Sequence, residues 1–207
     1  MSSETEKKEQ QLLLSKRVLV IGQDSSFREA VIKRSEEEGA VVFGEIEQID
    51  GPVDIIVNLT GRIQETTELL SKVQEGDLVN DGGSIINLVF DPKAIFRFSP
   101  TDIVQDIAIQ SGGVSELGKV YTESLGNRRV RVNTLLVGPV DTPDFWDLLR
   151  EDIDQETILA TRCLHKIPKA EYISSAVVFF ASDWSSYITG TVFPIEDLRT
   201  QPSQCRF

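Results

Sequence analysis

The side chains that could perform catalysis are few and poorly assembled in this sequence. His165 is the single histidine and lies two residues after Cys163, but no third group is evident that would orient or activate the pair. Lys119 and Tyr121 share a predicted helix, where a separation of two residues directs them to different faces. The carboxylates are dispersed and form no obvious metal-binding cluster. The residues alone therefore predict no catalytic centre and no metal site.

Length and composition predict a soluble globular protein with one sizeable core. The chain has 207 residues, of which 40% are hydrophobic and 26% are charged. A net charge of -12 argues against binding to nucleic acid or to an anionic membrane, because such a field repels phosphate. No apolar run approaches the roughly 20 residues of a membrane span, and the polar N-terminus lacks the apolar core of a signal peptide. We expect a cytoplasmic protein with neither a nucleic-acid nor a membrane partner.

The apolar pattern predicts an α/β fold built on a parallel sheet. Residues 18–21 (VLVI) are typical of a strand buried on both faces, and Gly22 ends that strand. A helix and a second strand at residues 40–43 complete a β-α-β unit, whose right-handed crossover favours parallel pairing. Further helices are predicted at residues 65–74, 101–125, 151–161 and 168–182, and further strands at 53–58, 82–87, 128–136 and 185–195. We expect a disordered tail at residues 1–15, one domain over 16–198 and a C-terminal tail over 199–207.

Several short motifs together resemble the short-chain dehydrogenase/reductase family. They are residues 82–87 (GGSIIN), 130–133 (VRVN), 138–143 (GPVDTP) and 187–190 (YITG). Each is weak alone, but they follow one another in the order of the family over nearly the whole predicted domain. The resemblance implies a Rossmann-like, three-layer fold with a parallel sheet flanked by helices. It also implies assembly into a tetramer, as is usual in the family.

The resemblance fails at the positions where the family carries its catalytic groups. The family pattern Tyr-x-x-x-Lys, followed by Gly-Gly-Val, has Ile107 and Ser111 at its two functional positions here. The Ser-Ser that normally ends the fifth strand of the family is replaced by Val89 and Phe90. In the family, a tyrosine exchanges the proton with the carbinol oxygen and a serine orients that oxygen. The resemblance therefore implies that Phe90, Ile107 and Ser111 are degenerate positions and that the chain has no catalytic residue.

The glycine-rich turn that holds a dinucleotide is also incomplete. In the family form Thr-Gly-x-x-x-Gly-x-Gly, glycine lets the backbone approach the pyrophosphate. Here Gly22 remains, whereas Ser26 and Arg28 replace the other two glycines. Asn58, at the end of a later strand, matches a family asparagine that we interpret as structural. These four positions are interpreted as degenerate, so we expect no cofactor to be bound by this chain.

A deletion removes the adenosine half of the expected pocket. Residues 44–52 bridge directly to the next strand, where the family has a helix, a strand and a further helix. Glu45 or Glu47 could still meet a ribose hydroxyl, but nothing else would enclose the nucleotide. An alternative is that Arg28 binds a phosphate at the helix N-terminus, although Asp24 lies in the same loop and opposes this.

Two helices of the chain match the elements through which the family assembles, at residues 101–125 and 169–182. Glycine inside a helix costs about 1 kcal/mol, so its presence indicates close approach of another backbone. That backbone belongs either to a partner or to the chain's own sheet. The predicted interface residues are Gly112, Gly113, Gly118, Tyr172, Ala176 and Phe180.

Loss of chemistry with retention of the scaffold predicts a structural role. We expect a catalytically inactive, stabilising subunit that forms a hetero-oligomer, such as a tetramer, with an active relative that carries NAD and performs the alcohol dehydrogenase reaction. One alternative is an isomerase or cyclase that uses the old substrate cleft without a cofactor. Another is a homo-oligomeric protein that binds a ligand there. Either alternative requires a cavity with converging polar groups near Asn58, Phe90 and Ile107.

Overall fold

A six-stranded parallel sheet forms the centre of the computed structural model, which describes residues 11–76 and 78–197. The strands are β1 (Arg17–Ile21), β2 (Val41–Phe43), β3 (Val53–Asn58), β4 (Val79–Phe90), β5 (Arg131–Val137) and β6 (Val192–Ile195). Their spatial order is β2-β1-β3-β4-β5-β6, and every neighbouring pair is parallel. The predicted α/β fold with a parallel sheet is confirmed.

Helices cover both faces of this sheet. They are α1 (Ser26–Glu37), α2 (Ile63–Glu75), α3 (Pro92–Ile95), α4 (Thr101–Leu125), α5 (Pro143–Trp146), α6 (Gln155–Leu159) and α7 (Ala170–Ala181). Successive strand residues point to opposite faces, so Val18 and Val20 pack with α1 and α7, whereas Leu19 packs with α2 and α4. The result is the predicted three-layer arrangement. No helix among the described residues is long and apolar enough to cross a membrane.

The strand order identifies a Rossmann-like sheet that lacks one outer strand. The common dinucleotide-binding order is 3-2-1-4-5-6, with a reversal between strands 1 and 4. Here the reversal lies between β1 and β3, and β2 forms the edge where a further strand would follow. This agrees with the deletion inferred at residues 44–52.

The short connection after β2 covers the sheet in place of the missing elements. It contains one turn of 3-10 helix, Ile46–Gln48. Together with Phe43, Ile46 and Ile49 pack against the buried side chains between the sheet and α2. The connection therefore closes the adenosine half of the fold with aliphatic side chains instead of leaving it open.

The segment just before β1 is packed, which corrects the tail expected over residues 1–15. Leu13 is only 1% exposed and belongs to the core beneath α1. The Leu13 amide donates to Glu38 O at 3.0 Å, and the Ser15 amide donates to Gly39 O at 2.9 Å. The expectation was wrong for residues 11–15 because the charged residues before this segment outweighed the run of three leucines at residues 12–14, of which Leu13 is buried. Residues 1–10 and 199–207 lie outside the described part of the chain.

Candidate functional site

The candidate site lies where the strands end, at the edge of the sheet where ligands bind in open α/β folds. Gly22 follows β1, Asn58 ends β3 and Phe90 ends β4. Ile107 and Ser111 lie on α4, which packs against β4 and β5. Since parallel strands end on the same side, the degenerate positions predicted from the sequence are gathered at one edge.

The two apolar catalytic positions are part of a small hydrophobic core. Phe90 and Ile107 are half-buried, and both pack against a common set of buried side chains. We call this set the apolar cluster; it comprises Ile95, Phe98, Phe145, Ile158 and Ile167. The geometry therefore does not favour cofactor-free chemistry at this place, which would need converging polar groups.

The neighbouring side chains of α5, and Ser111 on α4, also serve packing. Phe145 is fully buried and meets the Trp146 ring edge-on, with 5.5 Å between ring centroids. Trp146 donates from Nε1 to Asp141 Oδ1 at 3.0 Å, which fixes the indole at the start of α5. Ser111 is buried on the inner side of α4. These contacts give Phe145 and Trp146 a packing role.

The backbone conformation and the close packing at position 22 both require glycine. Its φ of 142° favours glycine, and a Cβ placed on it would lie 2.8 Å from Leu59 Cβ. Leu59 directly follows β3, so the two turns at the centre of the sheet touch each other. Retention of this glycine is therefore explained without a bound pyrophosphate.

Arg28 ties together the turns that follow β1 and β2. Its Nη1 donates to Asp24 Oδ1 at 2.6 Å, and its Nη2 donates to Gly44 O at 2.8 Å. The Glu45 carboxylate lies 3.6 Å from Nη2. Only 11% of the Arg28 side chain is exposed. The guanidinium is thus enclosed by two carboxylates and a carbonyl, which opposes the alternative that it receives a phosphate.

Asn58 holds the ends of β3 and β4 together through a buried network. Its Nδ2 donates to Thr66 Oγ1 and to Asn87 Oδ1, both at 2.9 Å. Its Oδ1 accepts from the Thr60 amide at 3.1 Å and from the Thr60 hydroxyl at 2.8 Å. These contacts explain why an asparagine is needed at this position and agree with its structural interpretation.

The predicted interface residues divide into exposed and internal ones. Gly112 and Tyr172 are exposed, and Ala176 is half-buried. Phe180 is 2% exposed and contacts Phe193 inside the chain, so its placement at an interface was wrong. A Cβ on Gly118 would lie 3.0 Å from Thr134 Oγ1, which shows that Gly118 approaches the chain's own sheet.

Gly113 likewise serves packing within the chain. A Cβ on this residue would overlap the side chain of Ile63 at the start of α2. The three glycines do not share one side of α4, because each residue advances about 100° around a helix. Of the three, only Gly112 faces open space.

Sequence reasoning missed a tyrosine and a lysine that meet elsewhere on the surface. Lys166 Nζ donates to Tyr172 Oη at 2.5 Å and lies 4.1 Å from the centroid of the same ring. The hydrogen bond and charge of Lys166 lower the pKa of the Tyr172 phenol. The two residues are six positions apart across a loop and the start of α7, so no helical spacing could have revealed them.

A buried arginine is the other feature that the sequence did not reveal. Arg162 is 1% exposed, and its Nη1 lies 3.4 Å from Asp197 Oδ1. Burial lowers the pKa of Arg162, while the Asp197 carboxylate acts in the opposite direction. Burial also raises the pKa of the neighbouring Glu196, and the Asp91 carboxylate adds to that effect. This group of charges joins the end of β6 to the loop after α6.

The described residues offer no alternative metal centre. Within residues 11–76 and 78–197, no three or more His, Cys, Asp or Glu side chains are grouped so as to hold an ion. His165 is exposed in the loop after α6, and Cys163 is half-buried in the same loop. The second cysteine, Cys205, lies outside the described residues.

A dinucleotide cofactor fits these residues poorly. Its pyrophosphate would need an open backbone at the turn after β1, where Arg28 is instead folded across to Gly44. Its adenosine would need the elements that are absent beside β2. A negatively charged ligand would also meet Asp24 and Glu45 at this place.

Comparison with known proteins identifies the chain's relatives. A family described as enoyl-(acyl carrier protein) reductase matches residues 66–197, more than half of the chain. The 3-oxoacyl-[acyl-carrier-protein] reductase FabG of Thermotoga maritima is 28% identical over 172 residues, which cover 82% of this chain and 60% of the relative. The (2S)-[(R)-hydroxy(phenyl)methyl]succinyl-CoA dehydrogenase subunit BbsD of Thauera aromatica is 28% identical over 156 residues, covering 75% of this chain and 58% of the relative. The chain spans 60% to 65% of the length of three such FabG reductases.

Solved structures agree with the fold. A short-chain dehydrogenase/reductase from Serratia marcescens has a TM-score of 0.67 at 21% identity, over 90% of this chain and 98% of its own. A blue fluorescent protein from a metagenomic library, solved in complex with NADPH, has a TM-score of 0.75 at 17% identity, over 92% and 100%. The solved structures support the fold, and the family match over more than half of the chain shows that it belongs to the short-chain dehydrogenase/reductase family.

Proposed function

We propose that this chain is a catalytically inactive subunit of a hetero-oligomeric, NAD-dependent alcohol dehydrogenase. In this proposal a related chain binds NAD and carries the reaction, and the present chain stabilises the assembly. The observation that carries the proposal is the packing of Phe90 and Ile107 against the apolar cluster. These are the positions where the family resemblance places a hydroxyl and a phenol.

The chemistry of the family cannot proceed through such side chains. Hydride transfer to or from an alcohol requires a group that accepts or donates a proton at its oxygen. Neither a benzyl nor a sec-butyl side chain exchanges protons, and removal of a general acid or base lowers rates by roughly 10²–10⁴. Ser111, the third position, is buried on the inner side of α4 and lacks the charge of the family's lysine.

The region of the cofactor supports the same proposal independently. Arg28 bridges the turns after β1 and β2, and Ile46 and Ile49 close the place of the missing elements. We infer that this chain binds no dinucleotide and that NAD resides in the partner. Arg28 and the shortened connection after β2 lie in different segments, so one local rearrangement would not restore both halves of a cofactor pocket.

Among the relatives, the Thauera aromatica protein is named as a dehydrogenase subunit. This supports a multi-subunit dehydrogenase that acts on a CoA thioester of the 2-(hydroxyphenylmethyl)succinyl type as one specific form of the proposal. The acidic composition and the absence of a membrane-spanning helix among the described residues are compatible with the cytoplasmic location that we propose for it.

Co-expression with an intact family member encoded beside this chain tests the proposal. Native mass spectrometry should detect a mixed oligomer, and titration should find NAD bound in proportion to the active chain only. Replacement of the active partner's catalytic tyrosine by phenylalanine should abolish the dehydrogenase activity of the complex, since this chain supplies no second site. Residual NAD-dependent turnover in that complex, or NAD binding by the present chain alone, would refute the proposal.

A further inference from the structure

Tyr172 and Lys166 form a hydrogen-bonded pair that the inactive-subunit role does not use. Lys166 lies in the loop after α6, and Tyr172 is the third residue of α7. The Lys166 Nζ donates to Tyr172 Oη at 2.5 Å and lies 4.1 Å from the centroid of the same ring. The ammonium therefore contacts both the phenol oxygen and the aromatic ring.

Buried neighbours hold the backbone of this pair in place. Ile167, next to Lys166, is buried and belongs to the apolar cluster. Ala170 and Ile173, in the first turn of α7, are buried in the core between α7 and the sheet. The Tyr172 side chain itself is 54% exposed. The phenol is thus positioned by the fold and remains open to a small molecule from solvent.

The charges around Tyr172 favour its phenolate form. The hydrogen bond and the charge of Lys166 lower the pKa of the Tyr172 phenol, and the charge of Lys169 acts in the same direction. The Glu171 carboxylate opposes them, but its effect is smaller than either effect of Lys166. A lowered pKa activates a nucleophile, because it raises the fraction present in the reactive, deprotonated form.

We propose that Tyr172 is a nucleophilic site that takes an acyl group from an activated acyl donor and forms a phenolic ester. The position of Lys166 favours this chemistry. Attack of Oη on a carbonyl carbon places negative charge on the carbonyl oxygen, only two bonds from Oη. An ammonium has three N–H donors, so Lys166 can stabilise the phenolate before attack and the oxyanion after it. The proposal goes beyond the inactive-subunit role and does not require it.

The acyl transfer balances without a cofactor or a redox partner. The phenol first loses its proton to water. A lone pair of Oη then forms a bond to the carbonyl carbon, and the bond from that carbon to the leaving group breaks. The leaving group departs with the electron pair and takes up a proton from water. Hydrolysis of the ester returns the phenol and releases the carboxylic acid.

Acetylation of the full chain by N-acetylimidazole tests the proposal, since this reagent transfers an acetyl group and releases imidazole. Mass spectrometry of digested samples follows the acetylation of each tyrosine over time at neutral pH. Tyr187 is the control within the same molecule, because it is 101% exposed and no cation lies over its ring among the described residues. Tyr172 should react faster than Tyr187 in spite of its lower exposure.

Hydroxylamine then identifies the bond that has formed. It cleaves a phenolic ester but not the amide that an acetylated lysine would carry, so the acetyl group on the Tyr172 peptide should be lost. Equal rates for the two tyrosines, faster reaction of Tyr187, or a stable acetyl group on Lys166 in place of Tyr172 would overturn the proposal.

Substitutions at two lysines separate the hydrogen-bonded cation from positive charge in general. Lys166→Met keeps an unbranched side chain but removes the charge, and should reduce the rate for Tyr172 to that of Tyr187 or below. Lys166→Arg keeps a cation and should restore most of the rate. The matched control is Lys169→Met, which removes an exposed charge before α7 but not the hydrogen bond, so Tyr172 should stay faster than Tyr187. Acetylation of Lys166→Met at the wild-type rate would contradict the assigned role of Lys166.

The outcomes also separate this inference from the inactive-subunit role. Tyr172 is among the interface residues predicted from the sequence, so the acetylation is repeated on the complex with the active relative. Tyr172 should remain faster than Tyr187 there. Protection of Tyr172 in the complex would show that the partner covers it, which would overturn the inference and support assembly. Rapid acetylation of Tyr172 in a chain that never binds an active relative would support the inference and refute the proposed function.

Discussion

Replacement of Arg28 by alanine is expected to destabilise the fold by about 2 kcal/mol, and the contacts of Arg28 show why. The guanidinium makes two hydrogen bonds that we expect to contribute different amounts to the free energy of unfolding. One goes to the carbonyl of Gly44 at 2.8 Å, and the other goes to the carboxylate of Asp24 at 2.6 Å. The Arg28 side chain is 11% exposed, whereas the Asp24 side chain is 95% exposed.

The magnitude follows from this difference in exposure. A hydrogen bond from a charged group within a largely enclosed site contributes about 1.5–3 kcal/mol. An ion pair with a fully hydrated carboxylate contributes roughly 0–1 kcal/mol. The bond to Gly44 should therefore dominate, so we expect Asp24→Asn to lower the free energy of unfolding by less than about 0.5 kcal/mol. For a domain of this size, 2 kcal/mol corresponds to a decrease in Tm of about 4–8 °C.

Urea denaturation of the wild type, Arg28→Ala and Asp24→Asn measures these differences, with equal m-values as the control for two-state unfolding. If Asp24→Asn proves as damaging as Arg28→Ala, the exposed ion pair is the important contact and the reasoning is refuted. The same variants test the alternative role of Arg28 as a phosphate ligand. In that case pyrophosphate or NAD would raise the Tm of the wild type but not of Arg28→Ala, whereas we expect neither ligand to stabilise either protein.

Three further predictions concern single positions. Asn58→Ala removes four hydrogen bonds, two of them buried and two partly buried, and should lower the free energy of unfolding by about 3 kcal/mol. Urea denaturation measures this loss, and a value below about 1 kcal/mol would contradict the network. In the same assay, Gly112→Ala should stabilise the chain by roughly 1 kcal/mol, since the new Cβ meets open space. Gly118→Ala should destabilise it, because the new Cβ would lie 3.0 Å from the Thr134 hydroxyl. Equal changes in the free energy of unfolding would refute this interpretation of the two glycines. In an alkaline absorbance titration, Tyr172 should ionise below the usual phenol pKa of about 10 because Lys166 stabilises the phenolate, and Lys166→Ala should move this step to higher pH; an unchanged titration would exclude the pair.

The sequence predicts the fold well because its signals are local and repeated. The bounds of α4 and β3 follow from a long helical pattern and an apolar run, and the structure places them at Thr101–Leu125 and Val53–Asn58. The shortened half of the sheet follows from the family resemblance together with chain length, since residues 44–52 are too few to form the two helices and the strand that the family has there. These features need no knowledge of which distant segments meet.

Contacts between distant segments are what the sequence could not predict. The identity of Phe90 showed that a hydroxyl is missing, but not that Phe98 and Ile158 would help to fill the space. The sequence showed that Arg28 follows closely after β1. It did not show that Arg28 would donate to the Gly44 carbonyl 16 residues away, a contact that depends on the short connection after β2. Phe180 was assigned to the wrong side of its helix because α7 is apolar nearly all round, so that periodicity does not distinguish the two faces.

The differences from the family at the site reinforce one another, so that one substitution would not restore the polar groups that the resemblance implies at these positions. A hydroxyl at position 90 or 107 would now lie against the apolar cluster and lose part of its hydration, at a cost of up to about 1–3 kcal/mol unless a partner were supplied. The apolar side chains there stabilise the fold by the burial that a catalytic cleft must forgo. The Asn58 network next to them has been kept, because its polar groups bond one another and join β3 to β4. Apolar side chains therefore pack where the family resemblance implies polar catalytic groups, and polar groups remain where they join the strands of the scaffold, as expected under the proposed role in assembly.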